Sequence, residues 1–278
     1  QAEAEIGAEQ WNSALEKLKQ IIAIDPTYRD ASEKIAFVER QQTLEAQFVE
    51  AQDYFKQGNW SETIRILEQL SEQARDFKTS EVQQTLFYAH FRAGVELMAA
   101  AGDRLDVIGQ AMQSFDRALA IFPDDKTALE ERQLADLYRQ GCLFLNQKNW
   151  PQAVLVLQQI YETRPDYMDG RVASMLCTAY LQLGDTYYAA GDLEQALQQY
   201  RNVLAIEGCD HVAAAVKERE VYAVLYPPTS TPTRTPTPTR TATPTRTPTP
   251  TRTPTPTWTA TQVRPPRPSA TPTKPPRD

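Results

Sequence analysis

Residues 137–165 read LYRQGCLFLNQKNWPQAVLVLQQIYETRP, and residues 180–208 read YLQLGDTYYAAGDLEQALQQYRNVLAIEG. Laid over each other without a gap, the two stretches share one frame. Leu137, Gly141, Phe144, Trp150, Ala153, Leu157, Ile160 and Pro165 coincide with Tyr180, Gly184, Tyr187, Leu193, Ala196, Tyr200, Val203 and Gly208. Apolar residues recur every three or four positions, the period of a helix with one buried face. A glycine inside such a pattern lets a second helix approach closely, and the aromatic residue three positions on fills the space beside it. The alanine of the second half admits that helix against the first. The closing proline or glycine stops it. Each stretch is therefore a helical hairpin.

Working outward, the same frame recurs three more times, as a repeat architecture requires. One copy shows Ala51, Tyr54, Gly58, Trp60, Thr63, Leu67 and Leu70. Another shows Gly94 and Leu97, then Ala111, Phe115, Ala118 and Pro123, and needs about five extra residues near Leu105–Gly109 to stay in register. The first copy has only the second half, with Trp11, Ala14, Leu18, Ile21 and Pro26. This pattern resembles the tetratricopeptide repeat, in which large, small and aromatic residues mark helix A and an Ala–aromatic–Ala series with a terminal proline marks helix B. The resemblance covers nearly all of residues 1–210 and implies an all-α, right-handed αα superhelix.

The copies end near positions 26, 75, 123, 165 and 208, a spacing wider than the family's 34 residues. The surplus lies between one helix B and the next helix A. Residues 30–57 hold no Pro or Gly and are rich in Ala, Glu and Gln, so they predict one elongated helix A. A short third helix per repeat is the rival, and the period also overlaps that of HEAT and armadillo solenoids. The Gly-Asn-Trp, Lys-Asn-Trp and Gly-Asp-Leu turns favour the tetratricopeptide frame. A last helix, about 212–225, is expected to cap the stack.

Composition divides the chain at Tyr226–Pro227. All ten glycines precede that point and sixteen of the twenty prolines follow it. Residues 1–226 carry 21 Lys/Arg against 35 Asp/Glu, a net of −14, and residues 227–278 carry 8 against 1, a net of +7. An acidic body is not built for nucleic acid, whose phosphates need a basic surface. Residues 227–278 predict a disordered, polyproline II-prone Thr/Pro/Arg-rich tail, since alternating Thr and Pro build no core. Arg234, Arg240, Arg246 and Arg252 are six residues apart, with Trp258 next in the series. Three residues per turn would place them on one side, roughly 19 Å apart. That composition matches O-glycosylated stalks and resembles linkers of bacterial surface and secreted proteins. The expected location is thus extracytoplasmic or at the cell surface, with the cytoplasm as the alternative. The chain opens with Gln1, as a fragment or processed product would, and shows neither a signal peptide nor an apolar run of membrane-spanning length.

Catalytic patterns are scarce. His90 and His211 are far apart, on different repeats, with no local nucleophile. Cys142, Cys177 and Cys209 are odd in number and lack a CxxC spacing, so neither a disulfide framework nor a zinc site is indicated, and they are expected as buried small hydrophobes. Cys209-Asp210-His211 lacks structural-zinc ligand spacing and is expected to be an inter-helix loop. No glycine-rich phosphate loop occurs. The expectation is a non-enzymatic chain without cofactor or metal.

The tetratricopeptide resemblance implies a concave surface, lined by successive A helices, that receives a peptide or partner protein. Counting from each small residue gives Phe48, Gln52 and Phe55, then Tyr88, Phe91, Arg92 and Met98. Further along it gives Tyr138, Arg139, Cys142 and Asn146, then Gln182, Asp185 and Tyr188. Phe55, Tyr88, Arg92, Tyr138, Arg139, Asn146, Gln182, Asp185 and Tyr188 are the candidate contacts, because aromatics with interspersed Arg dominate interface energies. Burial between elongated helices is the competing reading for Phe48, Phe91 and Met98. Members that clamp chaperone C-termini need two Asn where this chain has Cys142 and Asp185, so that ligand is excluded. The sequence thus predicts an interaction scaffold whose tail is an extended spacer. Its alternatives are an envelope protein whose basic tail meets an anionic polymer, and the sensor or assembly arm of a larger membrane-anchored enzyme.

Overall fold

The computed structural model of the chain describes residues 1–28 and 30–227; the tail expectations, including the Arg series and Trp258, lie outside the described residues. Among the described residues there are eleven α-helices and no strand: α1 (Ala2–Gly7), α2 (Trp11–Ile24), α3 (Ala31–Lys56), α4 (Trp60–Gln73), α5 (Thr79–Ala101), α6 (Leu105–Ile121), α7 (Lys126–Asn146), α8 (Trp150–Thr163), α9 (Arg171–Ala190), α10 (Leu193–Leu204) and α11 (Val212–Leu225). Each helix packs against its successor in the chain, and the A helices α3, α5 and α7 also touch in turn. This is an all-α solenoid of the tetratricopeptide kind. Two helices make each repeat, and α3 is the single elongated helix A that its composition predicts. α5, α7 and α9 are lengthened at the same end, beginning 15, 15 and 13 residues before Gly94, Gly141 and Gly184.

The five extra residues of the third copy are absorbed inside helices. α5 runs to Gly94+7, against +5 for α7, and α6 begins six residues before Ala111, against three for α8 before Ala153. Two residues lengthen one helix and three the other, so the turn keeps its length. Adding helix keeps every new backbone N–H paired, which a longer loop would not.

Three of the turns between paired helices, α3–α4, α7–α8 and α9–α10, are built alike. Gly58, Lys148 and Gly191 take the left-handed conformation, with φ of 74°, 56° and 81°. In each, two backbone bonds close the preceding helix, as in Asn149 N to Phe144 O at 2.8 Å. The next residue caps the following helix, with Asn59, Asn149 and Asp192 accepting from the backbone N–H three residues on. A Trp or Leu then opens helix B. Inside each hairpin the small residue is required: a methyl group at Gly184 would lie 2.6 Å from Tyr200 Cε1, and one at Gly141 2.6 Å from Leu157 Cδ2.

One expectation is overturned. Cys177 on α9 and Cys209 in the α10–α11 loop form a disulfide, with Cα atoms 6.4 Å apart, across 32 residues of sequence. Their spacing carries no local signal, because it is the return of the hairpin that brings the two together. Cys142 alone remains a free, buried thiol.

Candidate partner-binding surface

The predicted contacts lie on α3, α5, α7 and α9. Phe55 is half-buried and edge-on to Trp60, with ring centroids 5.3 Å apart. Tyr88 is 45% exposed, its ring held edge-on against Phe87 at 5.2 Å. Arg92, four positions further, is exposed and forms no ion pair among the described residues. Arg139 is exposed and makes only a long contact to Asp136, at 3.4 Å within its own helix. Asn146 is exposed at the end of α7, Gln182 is half-buried on α9, and Tyr188 is 51% exposed.

Two candidates have other employment. Tyr138 is fully buried. Its ring packs edge-on against Tyr167 and its hydroxyl donates to Gly102 O at 2.9 Å, in the turn of the preceding repeat. The two residues added to α5 carry that turn forward to where it takes the phenol. Asp185 accepts from Tyr200 Oη at 2.8 Å and pairs with Lys217 of α11. It fastens α9 to α10 and to the cap. Phe48, Met98 and Cys142 are core residues, and Phe91 is half-buried against Phe115.

A cavity of about 410 Å³ brings Tyr138, Cys142 and Asn146 together with Asp103 from the α5–α6 turn and Arg171 and Met175 from α9. Inward counting found its α7 side, while Asp103 and Arg171 went unseen because neither lies on the counted face. The chemistry there is quiet at neutral pH. Burial pushes the Cys142 thiol up to about 11 and the Tyr138 phenol up to about 12, so neither is an anionic nucleophile. His90, buried between α4 and α6, is held neutral: desolvation first, then the nearby Arg117, lowers it to about 4. His211 Nε2 lies 2.9 Å from Ile206 O, within its own loop. Among the described residues, no group of three or more His, Cys, Asp or Glu is placed to hold a metal, and no helix is long and apolar enough to cross a membrane.

The family model of the tetratricopeptide repeat matches residues 137–167 and 178–206. No curated protein matches the chain. Repeats of this family generally mediate protein–protein interaction, and their fold is typically a non-catalytic module. The matched segments are α7–α8 and α9–α10, the two hairpins whose glycines admit Leu157 and Tyr200. Repeat frame, helical stack and family match thus converge: the chain carries tetratricopeptide repeats at residues 137–167 and 178–206, within a helical stack of the same kind.

Proposed function

We propose that the chain is a non-catalytic scaffold that binds a peptide or partner protein along its A helices, on a surface centred on Tyr88, Arg92, Arg139 and Tyr188. The observation behind this reading is that two aromatic and two guanidinium side chains stay exposed on three successive A helices. The same helices bury Phe87, Tyr138 and Tyr180 in the stack. Tyr and Arg are enriched among residues that carry binding energy. Affinity capture with the full chain, repeated with an Arg92→Ala/Arg139→Ala/Tyr188→Ala variant of unchanged circular dichroism, tests it. Partners should weaken at least tenfold, on the order of one hot-spot residue lost. Undiminished capture would place the interface elsewhere.

The chain is further proposed to work outside the cytoplasm, with residues 227–278 as an extended, O-glycosylated spacer. Supporting this are the Cys177–Cys209 disulfide, since such bonds persist mainly in oxidising compartments, and the Thr/Pro-rich composition. Thiol labelling of the chain in fractionated cells checks it: three labelled cysteines in a cytoplasmic fraction would exclude that location. A second reading is favoured by the charge split of −14 and +7, in which the basic tail meets an anionic envelope polymer. Binding to such a polymer that survives high salt would exclude it, because exposed charges are screened there.

A further inference from the structure

The Cys177–Cys209 bridge encloses α9 from Cys177 to its end, all of α10 and most of the following loop. That enclosed segment carries Asp185 and Tyr188. Beyond it, α11 begins three residues after Cys209 and has little to hold it: only Ala214 and Val221 are buried. Leu225 packs half-buried against α10, and the other ties are polar. Lys217 pairs with Asp185, Glu218 with Arg201 at 3.1 Å, and Arg201 lies over the Tyr222 ring at 5.7 Å. Both groups that hold Asp185 therefore come from the terminal unit, Tyr200 from α10 and Lys217 from α11. Stacked repeats contact only their neighbours, so such a unit has one side to lean on and opens more readily than the interior.

We propose that oxidation of Cys177 and Cys209 is the step that completes this end of the solenoid: the bridge latches α10–α11 onto α9 and so fixes Asp185 and the neighbouring Tyr188. Closing the latch removes two electrons and two protons from the two thiols. They pass to a disulfide oxidant, which leaves as two thiols. With the bridge closed, separating α10–α11 from α9 leaves a tethered loop in place of a free arm, which makes the open state entropically poorer. With it open, Asp185 loses both partners whenever the terminal unit separates. The latch stands independently of which partner binds; only the consequence at Tyr188 rests on the A-helix reading.

Hydrogen exchange on the full wild-type chain, oxidised and after reduction by a dithiol, reads the latch directly. Reduction is verified by a mass gain of two hydrogens. Exchange across residues 193–225 should rise on the order of a hundredfold, while residues 126–163 keep their protection. A Cys177→Ser/Cys209→Ser variant in oxidising buffer should reproduce the reduced pattern. Unchanged exchange across 193–225 in the reduced wild type overturns the proposal, and so does an equal rise in every helix. Binding of a captured partner, measured on the same two forms, separates the latch from the surface: a change confined to exchange would leave the latch standing and remove Tyr188 from the interface.

Discussion

Replacing Gly94 by alanine should destabilise the protein, while the same change at Gly109 should stabilise it. Both glycines sit inside helices, α5 and α6, where alanine is favoured over glycine by about 0.8–1.0 kcal/mol. They differ in what a methyl group would meet. At Gly109 nothing lies within 4 Å, so the helical preference should appear undiluted, a gain of about 0.5–1 kcal/mol. At Gly94 the methyl would lie 2.7, 2.8 and 3.0 Å from Cε1, Cδ1 and Cζ of Phe115. Carbon atoms pack best at about 3.5–4.0 Å, so the ring must retreat by nearly an ångström. It has nowhere to go, being fully buried and tilted against Phe91 with centroids 5.8 Å apart. Overpacking of this kind costs about 1–3 kcal/mol, which leaves Gly94→Ala about 1 kcal/mol destabilised after the helical gain. Phe115→Leu vacates the contested space at its own cost. The double variant should then be better by at least about 1 kcal/mol than the sum of the two single changes. Urea unfolding followed by circular dichroism measures all four forms. An additive cycle, or a Gly94→Ala variant as stable as Gly109→Ala, would refute the close-packed hairpin.

Removing the disulfide with Cys177→Ser/Cys209→Ser should cost about 3–4 kcal/mol for a closed loop of 32 residues, read as a lowered urea midpoint against oxidised wild type. His90 protonates more readily unfolded than folded, so its contribution is complete above about pH 6.5 and is lost as the pH falls toward 4. Between pH 7 and 5 wild type should lose about 2 kcal/mol that His90→Leu does not; equal losses in the two proteins would dismiss that account. Lys148 holds a left-handed φ of 56° where the sister turns have Gly58 and Gly191. Lys148→Gly should therefore raise the unfolding free energy by about 0.5–1 kcal/mol, read from urea unfolding. Asn149→Ala in the same turn removes a helix cap and should cost about 1 kcal/mol by the same measurement.

Much of the fold was legible because the frame is local. Gly141 with Leu157, and Gly184 with Tyr200, lie sixteen residues apart inside one hairpin, and a gapless alignment finds them. The surface was legible only where helix A faces solvent directly. Tyr138 occupies a counted inward position but is claimed by Gly102 O, because the preceding turn sits further along α5 than a family-length repeat would put it. Asp185 likewise satisfies the count and is then taken by Lys217, on a helix that belongs to no complete repeat. The disulfide was illegible for the same reason in stronger form: the nearness of Cys177 and Cys209 is a property of the folded hairpin and of nothing in their flanking residues. Side-chain periodicity reports which face is apolar, and remains silent about which polar tips meet across repeats.

The end of the stack follows from that distinction. In α5 the residues 12 and 5 positions before Gly94, Val82 and Ala89, are buried, as are Val172 and Ala179 before Gly184 in α9. The two buried residues of α11, Ala214 and Val221, have the same separation and place Tyr226 where the glycine would stand. α11 is thus the lengthened first part of a helix A, docked on α10 as each interior helix A docks on the helix B before it. What differs are the positions 8, 7 and 4 residues before that glycine. There α5 offers Leu86, Phe87 and His90, and α9 offers Leu176, Cys177 and Tyr180, all buried. α11 has Glu218, Arg219 and Tyr222 in their place, with Glu218 bonded back to Arg201. Its helix stops at Tyr226–Pro227, where proline has no N–H to continue the ladder. One helix A with those positions made polar closes the described stack, and Lys217 on the same helix ties this closure to Asp185.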